Sequence, residues 1–260
     1  METAEIGGID LVFAILAAIL PAFVMLAYVL WYDRNHPEPS SMLFKGFVCG
    51  VLSLGVLNLF WDYFPAYFEW ADQDRTVIGK IKYAFCSVAF AEEGVKLIML
   101  WILLSKNPFF DERFDGIVYA VSVSMGFAAF ENLDYVLDSK EWGEVAAIRA
   151  VLTVPMHYMC GVLMGYFYSL AKYDSATRWK RLWHWAMIWV GPVIIHGTFD
   201  AIAMNAFWNN YAYIILTISL FVFCFFTHKY CNHLLHKHLI KDIVERKEKG
   251  KSIEHQQETS

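Results

Sequence analysis

Charge is scarce in this sequence. Asp, Glu, Lys and Arg make up only 18% of its 260 residues, whereas 58% are hydrophobic and 17% aromatic. Soluble domains carry roughly a quarter charged residues. The shortfall argues against a water-soluble fold and points to a polytopic, all-α membrane protein. The net charge of −5 conceals an uneven spread, with Lys and Arg gathered in one loop and in the tail. Nothing in that distribution supports nucleic-acid binding. No CxxC pair occurs: Cys49, Cys86, Cys160, Cys224 and Cys231 are scattered, mostly inside apolar runs, and read as buried free thiols. No HExxH zinc motif, internal repeat or soluble domain is present. A signal peptide is not expected, because the N-terminus lacks a basic n-region and its apolar run is too long. Residues 8–32 read instead as a retained first span.

Seven spans are expected, over residues 8–32, 42–64, 81–104, 116–138, 147–170, 182–206 and 209–228. Turn and charge clusters separate the first six, and the last two meet in a tight turn around Asn209 and Asn210. Residues 1–228 then form one transmembrane domain, and 229–260 a basic and polar tail that continues the last helix before fraying. With the N-terminus outside, fifteen Lys and Arg fall on the inner side and five, including Arg149, on the outer side. The positive-inside rule therefore puts the N-terminus out and the C-terminus in the cytoplasm. Trp179, Trp183, Trp185 and Trp189 suit an interfacial belt. The acidic loop Glu69–Asp74 reads as a solvated face.

The stretch 81–104 is the exception among the spans. It is apolar enough to cross a bilayer but carries Glu92, Glu93 and Lys96 at its centre. On insertion scales three such groups cost roughly 7–10 kcal/mol, and the Leu, Ile, Phe and Val of the run return only about 5 kcal/mol. The helix needs neighbours that bond to those groups. At ~100° per residue Glu92 and Lys96 share a face, with Glu93 in reach. Neighbouring carboxylates repel in a low dielectric unless a cation relieves them, and one left over could serve as a general base. A purely structural ion pair is the competing reading, although one lysine cannot account for two acids.

Three further constellations lie on later spans. Phe127-x-x-x-Glu131-Asn132 puts another acid at membrane depth, either catalytic or a partner for Lys96 or Arg149. Arg149 leads into Pro155-x-His157-x-x-x-Gly161-x-x-x-Gly165, where small residues share a face with the imidazole and let a helix approach closely. A lone His on such a helix is more often a packing residue, but four other titratable groups lie at similar depth. His196-Gly197-x-x-Asp200 places an imidazole and a carboxylate on one face, as an oriented histidine, two metal donors or a local hydrogen bond. The tail histidines His228, His233, His236 and His238 fit no zinc spacing and read as an interfacial helix.

These motifs, in this order over residues 80–205, resemble the PrsW family of intramembrane proteases. The resemblance implies a site-1 protease of bacterial stress signalling that cuts membrane-anchored anti-sigma factors in the plasma membrane. It also implies kinship with the CAAX-processing membrane proteases, which share the glutamate pair and the late His-x-x-x-Asp/Asn. It makes Glu92 and Glu93 the catalytic acids and Glu131, His157 and His196 supporting or ligand positions, with Asp200 a further member.

Glu92 or Glu93 would take a proton from water in a cavity between the third and sixth spans. His157 and His196 would hold that water and stabilise the oxyanion; Lys96, Glu131, Asn132, Arg149 and Asp200 would support them. Alternatively His157, His196 and Glu93 could bind Zn²⁺. The substrate would be a membrane-anchored protein met within the lipid bilayer. Two other functions compete: a seven-helix lipid-amide hydrolase, and a proton-coupled transporter or receptor in which the acids relay protons.

Overall fold

A computed structural model describes residues 8–67, 74, 76–206 and 213–258, with side chains to 252. The turn at Asn209 and Asn210, and the acidic loop apart from Asp74, lie outside the described residues. Every element among the described residues is helical. Helix α1 is Gly8–Asp33 and α2 is Ser40–Tyr63. The next rod joins α3 (Val77–Lys82), a π-helical stretch Tyr83–Ala89 and α4 (Phe90–Leu104). Helix α5 is Arg113–Leu137. Then come α6 (Trp142–Ile148), a second π-helical stretch Arg149–Thr153 and α7 (Val154–Tyr173). Helices α8 (Arg178–Ala206) and α9 (Tyr213–Glu258) complete the chain.

Among the described residues, six helices are long and apolar enough to cross a membrane: α1, α2, α5, α8, α9 and the α6–α7 rod. The chain is an all-α polytopic membrane protein. The α3–α4 rod differs from those six in burying Glu92, Glu93 and Lys96.

Helix α5 is the axis of the bundle, packed by α1, α2 and α7 and buried along most of its length. Its glycines make that possible. A Cβ on Gly126 would stand 2.0 Å from the Phe47 carbonyl oxygen of α2, and one on Gly165 of α7 would stand 2.2 Å from that of Gly116. Only glycine lets the backbones meet at such a distance. The small-residue stripe expected below His157 is therefore the α5–α7 contact.

Pro155 lies at the start of α7, directly after the second π-helical stretch. Proline cannot donate to the preceding turn, and the wider turn absorbs the interruption. Helix α9 has 46 residues, about 69 Å at 1.5 Å per residue, against a hydrocarbon core of about 30 Å. It runs unbroken past residue 228. Its polar half buries Cys231, His238 and Asp242.

Asp242 and Glu245 of α9 bond Arg113 at 3.3 and 2.7 Å, and Arg113 also holds Asp174 at 2.9 Å. Three of the tail histidines meet aromatic rings: His238 stacks on Tyr166 at 4.3 Å, His236 meets the edge of Tyr32, and His228 lies 6.4 Å from Tyr28. The cysteines are all free, but only Cys160 and Cys231 are buried. Cys86 is exposed, because it lies on an outward face of the first π-helical stretch.

Candidate active site

Helix α4 begins where the first π-helical stretch ends, and its first turn carries Glu92 and Glu93. Both face inwards with Lys96 one turn later, so the face anticipated from spacing is the buried one. The Lys96 ammonium donates to Oε1 of Glu93 at 2.8 Å and lies 3.4 Å from Oε2 of Glu92. It also lies 3.1 Å from Nδ1 of His157 and 3.9 Å above the Phe127 ring.

His157 projects from the first turns of α7. Its Nε2 is 2.8 Å from Oε2 of Glu131 on α5. Glu131 is held in turn by Arg149, whose Nη2 approaches the same oxygen at 2.8 Å. Arg149 Nε donates to Asn132 Oδ1 at 2.6 Å, and its guanidinium lies 4.0 Å over Tyr135. The second π-helical stretch carries Arg149 into this contact, inside the bundle rather than in a loop.

His196, on α8, sits between two carboxylates. Its Nδ1 is 2.9 Å from Oε1 of Glu93, and its Nε2 is 3.2 Å from Oδ2 of Asp200. Gly197 fits beneath Phe85 of the π-helical stretch; a Cβ there would come within 2.5 Å of that ring. The candidate residues named from sequence therefore converge: Glu92, Glu93, Lys96, Glu131, Asn132, Arg149, His157, His196 and Asp200 form one connected network.

Four carboxylates, Glu92, Glu93, Glu131 and Asp200, face only two permanent cations, Lys96 and Arg149. Neutral imidazoles would leave an excess of two negative charges. His196, with a carboxylate oxygen at each ring nitrogen, carries both N–H groups and lowers the excess to one, still costly away from water. One oxygen each from Glu92 and Glu93 and one nitrogen each from His157 and His196 lie within 4.8 Å of one another. Oε2 of Glu93 is buried without a hydrogen-bond partner among the described residues. Imidazole and carboxylate are suitable donors for Zn²⁺. Donor type, spacing and charge excess all fit a divalent ion.

A cavity of about 460 Å³ opens beside the cluster. Glu92, Glu131, Arg149, His157, His196 and Asp200 form its polar side, while Leu152, Met156, Phe199 and Leu220 form apolar walls. Trp61, Tyr83 and Tyr135 also line it. These positions place it towards the end where α2 finishes and α6 begins, opposite the Arg113 contact with α9. Glu93 and Lys96 lie behind the lining. Tyr135 and the apolar walls were not singled out from sequence. Tyr135 follows Glu131 by one helical turn, the one local signal that could have suggested it.

Fold and site together define a polytopic membrane protein with a buried carboxylate–imidazole centre opening on a cavity. A family model described as PrsW family intramembrane metalloprotease matches residues 38–227. The chain belongs to that family and is an intramembrane protease. It is 33% identical over 214 residues to Protease PrsW of Bacillus subtilis (strain 168), covering 82% of this chain and 92% of that relative. It is 34% identical over 184 residues to Protease PrsW of Geobacillus kaustophilus, covering 71% and 76%. Against Protease PrsW of Clostridioides difficile the identity is 30% over 215 residues, covering 80% and 85%. No solved structure matches it. The family match reaches α2 and the apolar half of α9, beyond the motif region of residues 80–205. Membership decides for a protease over the lipid-amide hydrolase and the transporter.

Proposed function

We propose that Glu92 is the general base of a water-dependent peptide hydrolysis inside the membrane. The supporting observation is that Glu92 borders the cavity while Glu93 lies behind it, bonded to Lys96 and His196. Glu92 takes a proton from water at the cavity wall and returns it to the leaving amine. Glu93, His157 and His196 would hold a divalent ion, with zinc the best match to the donors. When bound, the ion supplies Lewis acidity and brings the pKa of a water to about 7. Glu131 and Asp200 fix the two imidazoles through their Nε2 atoms. Arg149 and Asn132 hold Glu131, and the apolar walls accept side chains of an unwound substrate segment.

The substrate on this reading is a single-span membrane protein, and by family likeness an anti-sigma factor in a bacterial plasma membrane. Seven spans are proposed, with α3–α4 as the third, and residues 229–260 form a cytoplasmic tail. An outside N-terminus puts the cavity mouth on the outer side, which suits a first cut outside the cytoplasm. Cleavage of a membrane-anchored reporter by the purified chain in liposomes tests the reading. Glu92→Gln should abolish the cut with the helical content intact; wild-type cleavage by that variant removes Glu92 from the reaction.

A further inference from the structure

Lys96 stands in the middle of the donor group, not at its edge. Its fully buried ammonium contacts Glu93, Glu92 and Nδ1 of His157 at 2.8, 3.4 and 3.1 Å. Three of the four residues able to hold a divalent ion are therefore already engaged by a cation. The conflict is sharpest at His157. Nε2 of that ring faces Glu131 at 2.8 Å, which leaves Nδ1 as the atom turned towards the centre. A neutral imidazole nitrogen has one lone pair. It cannot accept from an ammonium and ligate a metal at once.

We propose that Lys96 is the internal cation of this site, and that a divalent ion binds by displacing its ammonium from Glu93 and from Nδ1 of His157. The proposal rests on the metal reading above. Two consequences follow from the geometry. The metal-free bundle stays joined, since the ammonium ties α4 to α7. The protein's affinity for the ion is also weaker than its donors alone would give, because the Lys96 contacts must be broken first. The Phe127 ring, 3.9 Å from the ammonium, is a contact that does not compete with the ion.

The test compares full-length wild type with Lys96→Met in detergent micelles, both stripped with chelator and titrated with Zn²⁺ against a chromophoric indicator. Thermal unfolding is recorded with and without the ion. Zinc should bind Lys96→Met at least tenfold more tightly, and should raise its Tm more than that of wild type. If wild type binds zinc and the variant binds no tighter, displacement is overturned while the metal reading stands. If wild type binds no zinc, both fall. Should Lys96→Met fail to fold, wild type labelled with ¹⁵N-lysine replaces it. The solvent-shielded ammonium resonance should move on zinc addition, and an unmoved signal overturns the proposal.

Discussion

The rings of His157 and His196 stand perpendicular, with centroids 5.2 Å apart. Each turns Nε2 to a carboxylate, Glu131 at 2.8 Å for one and Asp200 at 3.2 Å for the other. Each turns Nδ1 inwards, towards Lys96 and Glu93 respectively. A carboxylate behind a ligating imidazole fixes the ring and raises its basicity, and its loss typically costs 10–100-fold in metal affinity or activity. Glu131→Gln and Asp200→Asn should each show a loss of that size, in zinc retained after dialysis and in cleavage alike. A chelator should stop wild-type cleavage, and added zinc should restore it. Retention of zinc by both variants at the wild-type level would dissociate the outer carboxylates from the metal.

The two glutamates should separate by phenotype. Glu92 borders the cavity and holds Lys96 only at 3.4 Å, so Glu92→Gln should cost about 10²–10⁴-fold in cleavage rate, the range for loss of a general base, with a smaller fall in Tm than Glu93→Gln. Glu93 is fully buried and bonded to both Lys96 and His196. Removing one member of a buried charge pair costs about 3–5 kcal/mol. Glu93→Gln should therefore lower Tm as well as activity. Equal Tm values for the two variants would refute the division of roles.

Much of this arrangement was legible in the sequence, and physics separates what was from what was not. Long apolar runs announce membrane helices, and spacing of three or four residues announces the Glu92–Glu93–Lys96 face and the His196–Asp200 pair. Contacts between helices leave no such trace. Lys96 and His157 are 61 positions apart, and Arg113 and Asp242 are 129 apart, joined only by packing. The π-helical stretches were also invisible, since a wider turn has no composition of its own. Cys86 was expected inside because its neighbours are apolar, but on a membrane helix apolar neighbours face lipid as readily as core.

Close helix contact at the centre of the bundle should be intolerant of bulk. Gly165 meets the backbone of Gly116, and a Cβ would stand 2.2 Å from a carbonyl oxygen. That atom cannot swing aside as a side chain would. Overpacking of a tight core costs about 1–3 kcal/mol or more. Gly165→Val should lower Tm by several degrees and reduce cleavage by pulling His157, two turns away on α7, from Glu131. Gly55→Val, where a Cβ meets nothing within 4 Å, is the control expected to behave as wild type.

The far end of the molecule carries a second charged cluster, and within it the pH response of Asp174 has a definite sign. Asp174 lies just beyond α7 and is pulled in opposite directions. Burial pushes its carboxyl up, but hydrogen bonds from Arg113 and Lys241 outweigh that and hold it below the ordinary carboxylate range. A carboxyl depressed in the folded state contributes stability that is present above its unfolded pKa, about 3.9. That contribution is lost as pH falls through the lower folded value. Arg113 also grips Asp242 and Glu245 of α9, so release of Asp174 loosens the seat of the tail. Glu112 and Asp242 are shifted the other way, because burial outweighs Arg246 and His36 at the first and the hydrogen bonds from Phe114 and Arg113 at the second, so their contributions favour the docked state in acid. The Asp174 part is isolated by comparing wild type with Asp174→Asn in hydrogen exchange of residues 238–246. The part of the wild-type protection that depends on Asp174 should fall below about pH 4. The variant should be less protected at neutral pH and should lose less on acidification, and matching pH profiles would show that Asp174 does not hold the tail.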